Sequence, residues 1–185
     1  MQWRDQSETL ALAPHEAVFE TLNGADRARL KEIDNALPRV VIAGPCLRTI
    51  REDVDLSTEE RGGLLLGRAY ASKNGTEAQV IVAERSVASR AFNSTGVSLR
   101  MESEIWELAR PLLKDGMIVV GWYHSHPNLG AFFSETDRIT QRNFFRNPFS
   151  LGVVIDPVRN ELCAFVGPDS TDIPLENVII TEGEP

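Results

Sequence analysis

The sequence runs to 185 residues, enough for one domain with a proper core, and its apolar (42%) and charged (25%) fractions are those of an ordinary folded protein. A net charge of −8, with arginines scattered rather than gathered into a basic patch, sets the surface against nucleic acid. Nothing reaches the apolar length that crosses a membrane, residues 1–20 lack the basic start and apolar run of a secretory signal, and Cys46 and Cys163 read as separate reduced thiols, so a cytoplasmic protein is expected.

Residues 1–36 are polar and of mixed charge and read as a helical arm or partly ordered extension. Within them HEAVFETLNGADRARLKEIDNAL offers Val18, Leu22 and Leu30 to a core, with Gly24 interrupting the helical pattern. At Pro38 the pattern changes, and residues 37–185 read as the main domain. PRVVIAG predicts a strand, and PCLRTIREDVDL places Leu47, Ile50 and Val54 on one face of a helix. GGLLLGRAY and QVIVAERSV predict two strands around the turn-rich ASKNGTE. After the polar SRAFNSTGVSL comes a helix, ESEIWELARPLLKD, presenting Ile105, Trp106, Leu108 and Leu112 and kinked or ended by Pro111. MIVVGWYHSH predicts a buried strand, and SETDRITQRNFFRNP a helix opening on Ser134 and stopped near Pro148. SLGVVIDP and ELCAFVG predict two strands joined by PVRN, and LENVIIT a last one. Helices interspersed among strand groups put the chain in the α/β (α+β) class, a twisted mixed sheet flanked by helices.

The chemistry concentrates in GWYHSHPNLGAFFSETD, residues 121–137. His124 and His126, two apart on a strand, emerge on one face, with Tyr123 and Ser125 on the other. Pro127 ends the ladder and is expected to leave an exposed strand tip. Two imidazoles side by side are half of a tetrahedral zinc site. Ser134 and Asp137 share one face of the helix start, and PNLGAFF is short enough to fold that start back over the tip, making Asp137 a candidate third ligand. Three protein ligands leave a fourth position for water, as in catalytic zinc sites. Amide cleavage further needs a carboxylate that is not a ligand to take and return a proton. Glu135 lies off the Ser134/Asp137 face, so that carboxylate must come from elsewhere. A metal-free reading stands beside this one: HxH pairs occur in cores and on surfaces, and serine followed three residues later by an acid is a helix N-cap. A cupin or a metallo-β-lactamase would need further ligands at spacings absent here. His15 falls in the arm, where solvent is the expected surrounding.

These residues resemble the JAMM motif of the JAB/MPN metalloprotease family: a distant glutamate, then H-[ST]-H, seven residues from Pro127 to Phe133, serine, two residues, aspartate. The glutamate's E-x-x-G-x-L-x-G context is similar to ERGGLLLG, with Glu60 in register rather than its neighbour Glu59. VVIDPVR resembles the strand and turn after the motif helix, so the resemblance covers residues 38–167. It implies a cytidine-deaminase-like JAB/MPN fold and one Zn2+ per chain held by His124, His126 and Asp137. Glu60 would hold the water and shuttle its proton, Ser134 would donate to the oxyanion, and Phe132 would flank the substrate's approach. Active members cut the peptide or isopeptide bond after the C-terminal tail of a ubiquitin-like protein, the tail lying extended and its small last residues fitting a narrow passage. The polar SRAFNSTGVSL stands where relatives carry a tail-binding insertion. Without the long C-terminal helices of proteasome and signalosome relatives, the chain resembles stand-alone bacterial members. Some of these sit beside ubiquitin-activating and -conjugating (E1- and E2-like) enzymes in anti-phage defence. The resemblance leaves two alternatives: a non-catalytic MPN scaffold, disfavoured because all five motif residues are present, and a peptidase trimming a sulfur-carrier protein.

Overall fold

The apolar runs assemble into one sheet in the computed structural model, which describes residues 12–34, 36–55, 57–75, 77–89 and 103–183. Its strands are β1 (Arg39–Ile42), β2 (Gly62–Ala71), β3 (Ala78–Ala88), β4 (Ile118–Ser125), β5 (Leu151–Asp156), β6 (Glu161–Val166), β7 (Thr171–Ile173) and β8 (Val178–Ile180). They lie in the order β7-β6-β5-β4-β2-β3-β1-β8. β1 runs parallel to β3 and β8, and β4 parallel to β5; the other pairings are antiparallel. This is the mixed sheet that the element order predicts. β1 and β5 are buried along their whole length, which is why they read as unbroken apolar runs rather than alternating ones.

Alternation distributes the core over the two faces of the sheet. α3 (Gly44–Val54) opens with Pro45 in its first turn, where a missing N–H loses no bond. It packs Cys46, Ile50 and Val54 against Val40, Ile42, Leu65 and Ile81. Leu47 stays at the edge of this cluster, because Cys46 takes the inward position four residues before Ile50. The alternate residues Val41, Tyr70, Val80, Val82 and Ile179 lie under Val18, Leu22 and Leu30, carried by α1 (Ala17–Thr21), the residue that ends it, and α2 (Gly24–Glu32). Leu64, Leu66, Trp122, Val154 and Phe165 are covered by Ile105, Ala109, Phe133 and Phe145, from α4 (Ser103–Ala109) and the two ends of α5 (Glu135–Phe144).

The described part of the N-terminal segment therefore lies on the sheet. Gly24 marks the break between its two helices, where Asn23 caps α2 by accepting from the Asp26 N–H at 3.0 Å. Ala13 bridges the end of β2 that lies beyond its pairing with β4, through bonds to Ala69 and Ala71 of 2.8 Å each. His15 is buried rather than solvated: its Nδ1 lies 3.1 Å from the Ala71 carbonyl and its ring meets Phe19 edge-on. Residues 1–11 and, after Ser89, the SRAFNSTGVSL loop lie outside the described residues.

Other differences have local causes. α4 gives way to a 3-10 turn, Arg110–Leu112, because Pro111 cannot continue an α-helix. LENVIIT begins as a 3-10 turn, Leu175–Asn177, and only its last part pairs with β1. β7, unanticipated, is too short to carry a periodic signal. Among the described residues no helix is long and apolar enough to cross a membrane.

Candidate metal centre

β4 delivers His124 between Gly62 of β2 and Val154 of β5. The ladder continues one residue further, the His126 N–H donating to the Ile155 carbonyl at 3.0 Å, before Pro127 ends it. The strand tip is not exposed as expected. His124 and His126 are 1% and 4% exposed, because the loop after Pro127 folds over them.

That loop is held at both ends. Phe133 is buried, stacks on Phe165 with centroids 4.0 Å apart, and lies on Gly152, where a Cβ would come within 2.3 Å of the ring. Asn128 and Gly130 adopt left-handed φ values of 62° and 94°. Their N–H groups donate to the Asp156 carboxylate at 3.0 and 2.7 Å, and those of Val158 and Arg159 donate to it at 2.9 and 3.1 Å. Burial pushes this carboxyl up, but the four donors, Gly130 foremost, outweigh it and hold the pKa at about 2. A depressed pKa contributes stability above the unfolded-state value near 4 that is lost as pH falls through about 2. We expect the amides of Asn128 and Gly130 to lose hydrogen-exchange protection between about pH 4 and pH 2. Asp156→Asn should destabilise the fold by ~3 kcal/mol near neutrality and flatten that acid dependence in urea titrations. An unchanged acid limb in the variant would assign it to other carboxylates.

The helix start supplies the third group. Ser134 is the N-cap of α5, its Oγ accepting from the Asp137 N–H at 3.3 Å. Asp137 Oδ2 accepts from the Ser134 N–H at 2.7 Å and from the Ser134 hydroxyl at 2.6 Å. The cap reading thus holds, and it is compatible with a ligand role. Oδ2 serves the cap, while Oδ1 lies 3.2 Å from His124 Nε2.

The two Nε2 atoms are 3.1 Å apart, and His126 Nε2 lies 3.7 Å from Asp137 Oδ2. One ligand atom from each of the three residues falls within 4.8 Å of the others. Tetrahedral zinc with bonds of about 2.0–2.1 Å separates its ligand atoms by about 3.4 Å, close to the two shortest of these distances. Two imidazole nitrogens that close oppose their lone pairs unless a proton or a cation lies between them. Burial, then the neighbouring His124, hold the His126 pKa below its ordinary value, which keeps a lone pair available. Burial raises the Asp137 carboxyl, but the hydrogen bond and charge of His124 and the bonds from Ser134 prevail, so it sits below the usual range and is anionic. Two imidazole nitrogens and one carboxylate oxygen are a donor set that zinc accepts.

Glu60 lies just before β2. The next residue, Arg61, is tied to the histidine strand at Ser125: the Arg61 N–H donates to Ser125 Oγ at 3.0 Å, and the Ser125 N–H to the Arg61 carbonyl at 2.8 Å. Glu60 Oε1 is 3.9 Å from His126 Nε2, and the side chain is 37% exposed. It thus stands beside the three-residue group without belonging to it. Glu59 is exposed, its backbone folded into a turn with Ser57. Phe132, 47% exposed, lies at the rim with its ring 4.9 Å from that of His126, and the buried loop anchor is its neighbour Phe133. Sequence reasoning missed Asp156, although an aspartate at a strand end before a proline turn is a local signal. It also missed Gln141, four residues from Asp137 and so on its helix face.

Prokaryotic homologs of the JAB domain, as a family, match residues 46–168, a span that holds Glu60, His124, His126, Ser134 and Asp137. COP9 signalosome complex subunit 5 of Eremothecium gossypii is 29% identical over 120 residues, 63% of this chain and 27% of that protein. Ubiquitin carboxyl-terminal hydrolase RPN11 of Saccharomyces cerevisiae is 35% identical over 74 residues, 37% of this chain and 24% of that one. The chain spans about a quarter of the length of these relatives. The solution structure of protein DSY2949 from Desulfitobacterium hafniense shares the fold, with a TM-score of 0.56 at 19% identity, covering 77% of this chain and 93% of that one. From the matched span, which runs from α3 to the end of β6, the chain belongs to the family of prokaryotic homologues of the JAB domain.

Proposed function

We propose that the chain is a zinc-dependent metalloisopeptidase that hydrolyses the peptide or isopeptide bond after the C-terminal tail of a ubiquitin-like protein, in deconjugation or precursor processing. One observation carries this reading: two histidine Nε2 atoms and Asp137 Oδ1 converge at 3.1 and 3.2 Å, with an unligated carboxylate, Glu60, 3.9 Å from His126. Homology to a ubiquitin carboxyl-terminal hydrolase supports the substrate class. The same reading makes the protein cytoplasmic, with E1- and E2-like conjugation enzymes as partners in a bacterial anti-phage pathway; gene neighbourhood tests that part.

His124, His126 and Asp137 would hold the metal. When bound, zinc supplies a Lewis acid and a water whose pKa is lowered to about 7. Glu60 takes the water's proton on its carboxylate and returns it to the departing nitrogen. Ser134 Oγ is located by the Asp137 N–H, and its hydroxyl, which here donates to Asp137 Oδ2, would turn from that carboxylate to donate to the oxyanion. Phe132 borders the approach of the tail. Ser134→Ala should lower kcat by about 10²–10³ and stability by only ~1 kcal/mol through the lost cap. Steady-state kinetics beside thermal unfolding separate the two, and an unchanged kcat would confine Ser134 to capping.

The reading as a whole is tested by incubating the zinc-loaded protein with ubiquitin-like fusions and weighing the products intact. Cleavage immediately after the tail, abolished by a chelator, is expected. Inertness towards every fusion and conjugate, with zinc bound, would favour a scaffold.

A further inference from the structure

Metal-bound imidazoles are ordinarily aimed by a hydrogen bond from the ring nitrogen that does not face the metal. Here His124 Nδ1 is buried with no hydrogen-bond partner among the described residues. For His124, what fixes the ring plane is Trp122, two residues earlier on the same strand face. The two rings stack with centroids 4.7 Å apart and planes 9° from parallel.

Trp122 is itself immobilised. It is fully buried, and Phe145 stacks on it at 5.8 Å and 11°. Its one polar group, Nε1–H, donates to Gln141 Oε1 at 2.6 Å. Gln141 is also fully buried, and its amide nitrogen donates to the Ser150 carbonyl at 2.8 Å and the Gly167 carbonyl at 3.1 Å. Both amide protons are used, so the amide cannot flip, and its oxygen is committed to the indole. Gln141 follows Asp137 by one helical turn. One face of α5 therefore delivers a ligand carboxylate and, four residues on, grips the indole against which another ligand lies.

We infer that Gln141, acting through Trp122, is a positioning residue for the metal centre: it holds the plane of His124 and the spacing between β4 and α5, and thereby sets the affinity for the metal. The inference rests on the metal reading above. A structural role alone predicts lost stability with undiminished affinity, so affinity on folded protein is the discriminating quantity.

The test uses the full chain, stripped of metal and titrated with zinc against a chromophoric chelator, and separately with cobalt to record its d–d absorption. Gln141→Met, close in size but unable to bond, should bind zinc 10–100-fold more weakly than the parent and shift the cobalt bands. Ile50→Ala, a core truncation in α3 under the other face of the sheet, should lower stability and leave zinc affinity unchanged. If Gln141→Met does not fold, Trp122→Phe, which keeps a stacking ring and loses the N–H, takes its place with the same expected weakening. Parent-like affinity and spectrum in the folded variant would overturn the positioning role and leave the metal reading standing. So would an equal loss in Ile50→Ala. A parent chain that binds no zinc would overturn both.

Discussion

Glu60→Gln should retain zinc and lose turnover. The carboxylate stands 3.9 Å from His126 Nε2, more than a third exposed, beside the convergent group of His124, His126 and Asp137. Removing its charge therefore leaves every proposed ligand in place. Glutamine preserves the side chain's size and hydrogen-bonding reach but cannot accept a proton at neutral pH. Loss of general-base assistance lowers rates by about 10²–10⁴, and proton return to the leaving nitrogen is lost with it, so the upper end is expected. The decrease should fall on kcat, with KM little changed, because Glu60 is proposed to act on the water rather than on the tail. Metal analysis and kinetics on one preparation suffice. Full activity would remove Glu60 from the mechanism, and loss of zinc would make it a ligand.

His124→Ala should lose zinc and activity together. Its Nε2 is the hub of the group, 3.1 Å from His126 and 3.2 Å from Asp137, so two donors would remain where a stable site needs at least three. The imidazole is also a packed ring, stacked on Trp122, and its removal should lower stability by about 2–3 kcal/mol through the cavity. The metal effect is separable from that loss. A ligand at a thousand times its Kd stabilises the folded state by about 4 kcal/mol, so the parent's Tm should rise with added zinc and the variant's should not. Chelator treatment of the parent should likewise stop cleavage while leaving a folded chain, and zinc should restore it. A zinc-responsive Tm in His124→Ala would place the metal elsewhere.

Which parts of this centre were legible in the sequence follows from how local each cause is. A spacing of two on a strand puts His124 and His126 on one face whatever surrounds them, and a spacing of three at a helix start pairs Ser134 with Asp137. Motif resemblance placed Glu60 next to them, and the antiparallel register of Gly62 against His124 is its physical basis. The burial of the strand tip was not legible. It depends on Asp156 and Phe133 holding one loop, through partners as distant in sequence as Phe165. The grip of Gln141 on Trp122 was hidden for the same reason, since two of its three bonds reach Ser150 and Gly167. The contact of α1 and α2 with the sheet was legible only in its anchors: Val18, Leu22 and Leu30, the residues the sequence offers to a core, are those that pack on the sheet, while so few buried positions, broken at Gly24, left the segment reading as an arm. The strand pattern from Pro38 was legible because burial on both faces removes polar residues from whole runs.

X-ray absorption at the zinc edge, on the purified full chain loaded with one equivalent of zinc, bears most directly on the central claim. Nitrogen and oxygen neighbours at about 2.0–2.1 Å, two of them with the outer-shell scattering of imidazole rings, are predicted. Sulfur at about 2.3 Å would place the ion on Cys46 or Cys163 instead, and with that result the account of this site would fail.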